Sequence, residues 1–325
     1  ALIYLGFLSS HRVSTNAPLI QGEGDQAIIR AEIFSDNRTL MVDLEINVSK
    51  ANRARINQNP TKSQREILGA LQVIYFSPED LDLVRGEPTQ RRDFLDKLLI
   101  TRTPRLAGVI SDYDRVVRQR NTLLKTRAPQ SSLVPWTEQL ISLGAQLTAE
   151  RISLVEKLNP YVVAHYAKLN EVKAASITYK SSTDGLTTDT DSNVAILTAK
   201  QKEVAHNESE RGVSLIGPHR DDLHLHLGDF PAKGYASHGE SWSMAIALRI
   251  GSFTLLRDEG SSPILILDDI FAELDTARRA QLVAITHLAE QTFITAAVES
   301  DLPADLLTQR FYVIPGKVSR EAGVL

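Results

Sequence analysis

Pro263-Ile264-Leu265-Ile266-Leu267-Asp268-Asp269-Ile270-Phe271-Ala272-Glu273-Leu274-Asp275 is the stretch that decides the fold. Pro263 to Leu267 reads as a buried apolar strand, and it runs directly into two acids. One carboxylate at such a strand end can hold a hydrated Mg²⁺ while its neighbour orients a water. An enzyme that splits nucleoside triphosphates needs this pair where the terminal phosphates meet the metal. Asp275 follows six residues after Asp269. The competing reading is a core strand that ends by chance in a solvated acidic turn. Other parts of the chain decide between the two.

The chain has 325 residues, 42% hydrophobic and 23% charged, the make-up of a globular protein with a sizeable core. It contains no cysteine, which excludes a disulfide framework and a Cys-based zinc site and fits a reducing, cytoplasmic setting. No apolar run approaches membrane-spanning length, and no secretory leader is recognisable. Ala1 to Gly6 reads as a helix entered part-way, so the chain is expected to begin inside a fold. The net charge of −4 is unevenly spread. Residues 85–127 carry eleven basic side chains against five acids, and Lys50, Arg53, Arg55, Lys62 and Arg65 form a second basic cluster. Such blocks are either solvated helix faces or a phosphate-contacting surface. On the second reading Arg91, Arg92, Arg118 and Arg120 are candidate phosphate contacts.

Residues 28–34 and 40–48 read as a hairpin, turning through Ser35 to Thr39. Leu71 to Phe76 is a short strand. Apolar residues at helical spacing then fill 106–124, 140–158 and 161–169, with a break expected near Pro160. Residues 181–193 read as a loop and Lys200 to Arg211 as a charged helix. Strands return at 213–216, 223–227, 263–267, 292–296 and 311–314. Apolar and polar helices, 242–256 and 276–289, lie between the later ones. This order argues for a largely parallel sheet with crossover helices, interrupted by a helical insertion. No heptad seam marks a long coiled coil.

Ser237-His238-Gly239-Glu240-Ser241-Trp242 opens the helix before the acidic strand. A small-Gly-polar turn at a helix start is a candidate anion site, because its backbone N–H groups and dipole point outward; an ordinary N-cap is the alternative. The order of turn, helix and acidic strand resembles the ATP-binding-cassette (ABC) ATPases, in the branch with SMC-type DNA-repair heads. Three longer strings, Pro78 to Asp96, Gly217 to Leu223 and Leu267 to Arg278, are similar to the bacterial RecF family. With Ser10-His11-Arg12, the resemblance spans nearly the whole chain.

The resemblance implies an α/β fold: an ABC-type ATPase head with a mixed sheet and flanking helices, built from residues 1–90 and 205–325. A helical arm, 91–204, is inserted between them. It implies ATP and Mg²⁺ as cofactors, with Asp268 on the metal and Asp269 as the catalytic carboxylate. Ser237, Gly239 and Glu240 would contact nucleotide in trans, Asp275 would lie in the D-loop, and Gln72 would stand near the Q-loop position. It further implies an ATP-dependent homodimer that acts on gapped or damaged DNA with RecO and RecR to load recombinase. Two departures qualify this. The family's phosphate loop, G-x-x-x-x-G-K-[ST], is not among these residues. The only Gly-Lys is Gly316-Lys317, followed by Val318, so ATP hydrolysis is expected to be weak or absent in this stretch alone. Asp269 also replaces the Glu of many relatives, which suits slow turnover. A non-hydrolysing DNA or protein interaction module is the alternative reading.

Overall fold

The computed structural model describes residues 1–13, 15–22, 24–35, 38–169, 172–303, 306 and 309–320. The chain begins in α1 (Leu2–Phe7) and enters an antiparallel sheet of β1 (Gln26–Ser35), β2 (Arg38–Asn47), β3 (Arg53–Ile56) and β4 (Asn59–Pro60). The expected hairpin is present, with Gln26 paired to Asn47 and Ser35 to Arg38. Residues 36 and 37 of its turn lie outside the described residues. Alternation puts Val42, Leu44, Ile46 and Ala54 against Tyr4, Leu5 and Ile67, the one-sided burial that an antiparallel sheet allows.

β5 (Val73–Phe76) lies beside the acidic strand and leads into the short α2 (Leu81–Arg85). Helices α3 (Pro88–Arg102), α4 (Leu106–Lys125) and α5 (Gln130–Ala167) follow. α5 contains Pro135 and runs through Pro160, the latter being the point where the sequence predicts a break. Proline removes one backbone donor and crowds the preceding turn, but tertiary packing outweighs that here. Leu154, Val155, Leu158, Val162 and Tyr166 are buried across the point of interruption. Gly251 of a later helix approaches the backbone there so closely that a Cβ would sit 3.3 Å from the Val162 nitrogen.

The chain then makes β6 (Ala175–Lys180), a strand that the sequence pattern does not announce, and α6 (Thr190–Arg211). β6 pairs antiparallel with β7 (Asp222–Leu227), which pairs with β8 (Phe230–Pro231). The strand predicted at 213–216 does not form. Side chains take its backbone groups instead: Ser214 N donates to Asn121 (2.7 Å), Leu215 N to Glu208 (2.7 Å) and Gly217 N to Ser182 (3.2 Å). An irregular turn, α7 (Ala232–Tyr235), precedes the long buried helix α8 (His238–Asp258).

The acidic strand is β9 (Ile264–Asp268), central in a parallel three-stranded sheet between β5 and β10 (Thr292–Thr295), with α9 (Thr276–Thr286) as the crossover. Its unbroken apolar run has a physical cause. Ile264 and Ile266 join Val73 and Tyr75 against Ile3 and Phe7, while Leu265 and Leu267 join Ile74 and Phe76 in the core that contains α8. β11 (Tyr312–Ile314) and β12 (Lys317–Ser319) form a separate hairpin. Among the described residues parallel pairing is thus confined to one sheet, and the expectation of a largely parallel architecture gives way to a mixed one. The main core is continuous from β5 and β9 through α8 into α3, α4, α5, β6 and β7.

Candidate nucleotide site

β9 delivers Asp268 and Asp269 to the carboxyl end of the parallel sheet, the edge where such sheets bind ligands. Thr295, in register with Asp268 on β10, donates its hydroxyl to Asp268 Oδ1 at 2.6 Å. Arg12 Nη2 donates to Asp268 Oδ2 at 2.6 Å, and His11 Nε2 lies 3.5 Å from the same oxygen. Partial burial alone would raise this carboxyl's pKa. The Thr295 hydroxyl and the Arg12 and His11 charges outweigh burial and hold it below the usual value. Asp269 has φ 55°, a left-handed conformation that Asp tolerates better than most residues. Its N–H donates to the Thr295 carbonyl and hydroxyl, each at 3.1 Å, which fixes the bend. Ala297 N lies 3.4 Å from Asp269 Oδ1.

The turn before α8 is a reciprocal capping box. Ser237 Oγ accepts from Glu240 N (3.2 Å), and Glu240 Oε2 accepts from Ser237 N (2.8 Å). Ser237 and His238 are exposed, and the first turn of α8 presents backbone donors that have no intrahelical partner. Lys173 reaches Glu240 Oε1 at 2.7 Å and is the main cause of that carboxyl's lowered pKa. Asp275 caps α9 by accepting from Arg278 N (3.0 Å). The Arg278 guanidinium is paired to Asp275 and also donates to Gly239 O (2.7 Å).

The predicted residues therefore fall into two groups. Asp268 and Asp269 sit with Arg12 and Thr295; Ser237, Gly239, Glu240 and Asp275 sit with Lys173 and Arg278. Among the described residues no hydrogen bond or ion pair joins the two groups. Nothing in the sequence marks Thr295 as a partner of Asp268, and Arg12 and Arg278 stand out only within strings that resemble a family. The parallel register of β10 on β9 is the signal that finds Thr295.

Three further candidates lie in internal contacts. Gln72 precedes β5, and its amide donates to the Thr101 carbonyl at the end of α3 (2.9 Å). Arg91 is 5% exposed and holds Asp222 with two bonds, at 2.7 and 2.9 Å, while also reaching the Gly86 carbonyl. Arg120 is 3% exposed and donates to Glu208 (2.6 Å) and Ser214 (2.7 Å). Both guanidiniums are engaged in internal ties. Arg92 is half-buried and donates to the Asp221 carbonyl, while Arg118 is exposed. Lys50, Arg53, Arg55, Lys62 and Arg65 are all exposed.

The residues around Asp268 suit Mg²⁺. An ionised carboxylate and a threonine hydroxyl are hard oxygen groups, and among the described residues no cluster of three His, Asp or Glu forms a closed cage. Mg²⁺ is characteristically held by one or two carboxylates together with substrate phosphates.

No protein-family model matches the chain. Among curated proteins, the DNA replication and repair protein RecF of Streptomyces avermitilis is 47% identical over 331 residues, covering 98% of this chain and 89% of that protein. The RecF of a Nocardioides species is 45% identical over 378 residues, covering 99% and 90%. The chain belongs to the RecF family. Among solved structures, that of the recombination mediator protein RecF-ATPrS in the RecFOR pathway has a TM-score of 0.87 at 22% identity, covering 98% of this chain and 86% of that one. RecF-ATP in the same pathway gives 0.80, also at 22% identity, covering 91% and 82%. The α/β fold is the one that these RecF structures share. No helix among the described residues is long and apolar enough to cross a membrane.

Proposed function

We propose that the chain is the head and arm of a cytoplasmic, ATP-gated DNA clamp of recombinational repair. The observation that carries this is the Asp268–Asp269 pair at the end of a buried parallel strand, one helix after the exposed capped turn at Ser237. When bound, Mg²⁺–ATP supplies the phosphoanhydride and a cation that neutralises its terminal phosphates. Asp268 would hold the cation. Thr295 orients its Oδ1, and Arg12 pairs with its Oδ2. Asp269, turned by its left-handed backbone and the Thr295 bonds, orients the attacking water and accepts its proton. Ser237 and the first-turn amides of α8 bind the phosphates held by a second copy, with Gly239, Glu240 and Asp275 shaping that face. Residues 91–204 form the arm. DNA crosses the closed pair, and RecO and RecR are the partners in loading recombinase at gaps, as the RecFOR setting of the solved relatives suggests.

The direct test is ATP hydrolysis, with and without gapped DNA, by this chain and by one extended upstream to a phosphate loop. DNA-stimulated turnover in the extended chain supports the clamp. DNA binding with no turnover in either assigns a non-hydrolysing interaction module instead. In the extended chain, Asp269→Asn is expected to leave nucleotide binding intact and slow turnover about a hundredfold, the scale of a lost general base, with a longer-lived dimer. Hydrolysis at the wild-type rate would remove Asp269 from the chemistry.

For DNA, reversing charge at Lys50, Arg53, Arg55, Lys62, Arg65 and Arg118 is expected to weaken binding. The log–log salt slope should fall by about 0.9 per phosphate contact removed from a duplex. An unchanged slope would make these side chains merely solvated. Arg91 and Arg120 are left out because reversing them would break the fold.

A further inference from the structure

Arg278 lies one helical turn past Asp275, and its side chain is largely buried at 16% exposure. Its guanidinium is paired with the Asp275 carboxylate. On the other side it donates from Nη2 to the Gly239 carbonyl (2.7 Å) and to Ser243 Oγ (2.9 Å), and from Nε to Ser243 Oγ (3.1 Å). Gly239 and Ser243 stand one turn apart on α8, so a single planar fork spans them while holding the acid at the start of α9. Ser243 is wholly buried, so this anchor does not move with the surface. Gly239 leaves the room needed, since a Cβ there would lie 3.0 Å from Arg278 Nη2. Lysine cannot reproduce the arrangement, because its ammonium is a point donor without a fork.

We infer that Arg278 is a positioning residue that locks the Ser237–Glu240 turn and the Asp275 loop of one subunit into a single rigid face for the nucleotide held by the other. This rests on the proposed sandwich and adds to it. The two motifs act as one piece, and the arginine that joins them touches neither nucleotide nor metal. Its loss frees the turn and the loop to move apart, which penalises dimer closure and leaves nucleotide binding by the lone subunit unchanged.

The test uses the chain extended upstream to include a phosphate loop, with fluorescent ATP titrated at subunit concentrations below dimerisation, and ATP-dependent dimer formation followed by light scattering. Arg278→Ala is expected to keep monomer affinity within about twofold while raising the protein concentration for half-dimerisation about tenfold, the scale of losing a charge-assisted hydrogen bond. Arg278→Lys should not restore closure. Ser243→Ala, which removes one anchor from inside a stable helix, should shift dimerisation in the same direction by a smaller factor, and it carries the test alone where Arg278→Ala does not fold. Dimerisation unchanged in these variants while the wild type dimerises with ATP would overturn the inference, as would full rescue by lysine. A wild-type chain that binds ATP and never dimerises would instead overturn the sandwich on which it rests.

Discussion

Glu208→Leu is expected to lower the unfolding free energy by about 3–5 kcal/mol, the range for stranding a buried charge. Glu208 is wholly buried at the end of α6. Its Oε2 accepts from Arg120 (2.6 Å) and Gln201 (2.6 Å), and its Oε1 from the Leu215 backbone N–H (2.7 Å). Leucine fills a similar volume but leaves the Arg120 guanidinium without a counter-ion and the Leu215 donor without an acceptor. Urea unfolding monitored by circular dichroism measures the loss. The double variant Arg120→Met, Glu208→Leu should recover much of it, because replacing both members of a buried pair with apolar groups is often close to neutral. A single-variant loss under about 1 kcal/mol, the range of an exposed ion pair, would show that solvent reaches the pair. The predicted consequence extends beyond stability. The same network fixes residues 213–217, the segment that leads into Gly217-Pro218-His219-Arg220.

Arg120 also shows what a sequence can and cannot disclose. A charge count over residues 85–127 registers it as one basic residue among many, and the count is correct. What decides its role is an acid 88 residues away, as for Arg91 it is Asp222 at 131 residues. Composition carries no information about such partners, so buried ties and solvated arginines look alike. β9 is the opposite case. Burial on both faces demands apolar residues at every position, and that demand is written directly in Pro263 to Leu267. β6 failed to register because Ala175, Ile177 and Tyr179 make a short, weak alternation between a helix and a polar loop. Pro160 misled for a related reason. The local rule against proline in a helix is real, but Gly251 and the packing of α8 on α5 outweigh it. At the site, the acids and the capped turn were legible because their chemistry restricts residue type. Arg12 and Thr295 were not, because any nearby donor could serve Asp268.

The capped turn also supports the prediction with the largest expected functional effect. Ser237→Arg in the extended chain should abolish ATP-dependent dimerisation while one subunit still binds ATP. Ser237 is exposed at the head of α8, so a bulky cation there projects from the face assigned to the second copy. A two-fold pair is isologous, and one substitution therefore blocks both nucleotide sites at once. The variant also loses a cap, because Ser237 Oγ no longer accepts from Glu240 N. That loss costs about 1 kcal/mol, roughly 2 °C in melting temperature for a chain this long. Ser237→Ala isolates the cap, since it removes the same hydrogen bond without adding bulk or charge. Light scattering with ATP should then show Ser237→Ala still dimerising and Ser237→Arg remaining monomeric, with both melting close together. If Ser237→Arg dimerises as the wild type does, the turn does not face a partner's nucleotide. The exposed amides of α8 would then be left as an ordinary helix start.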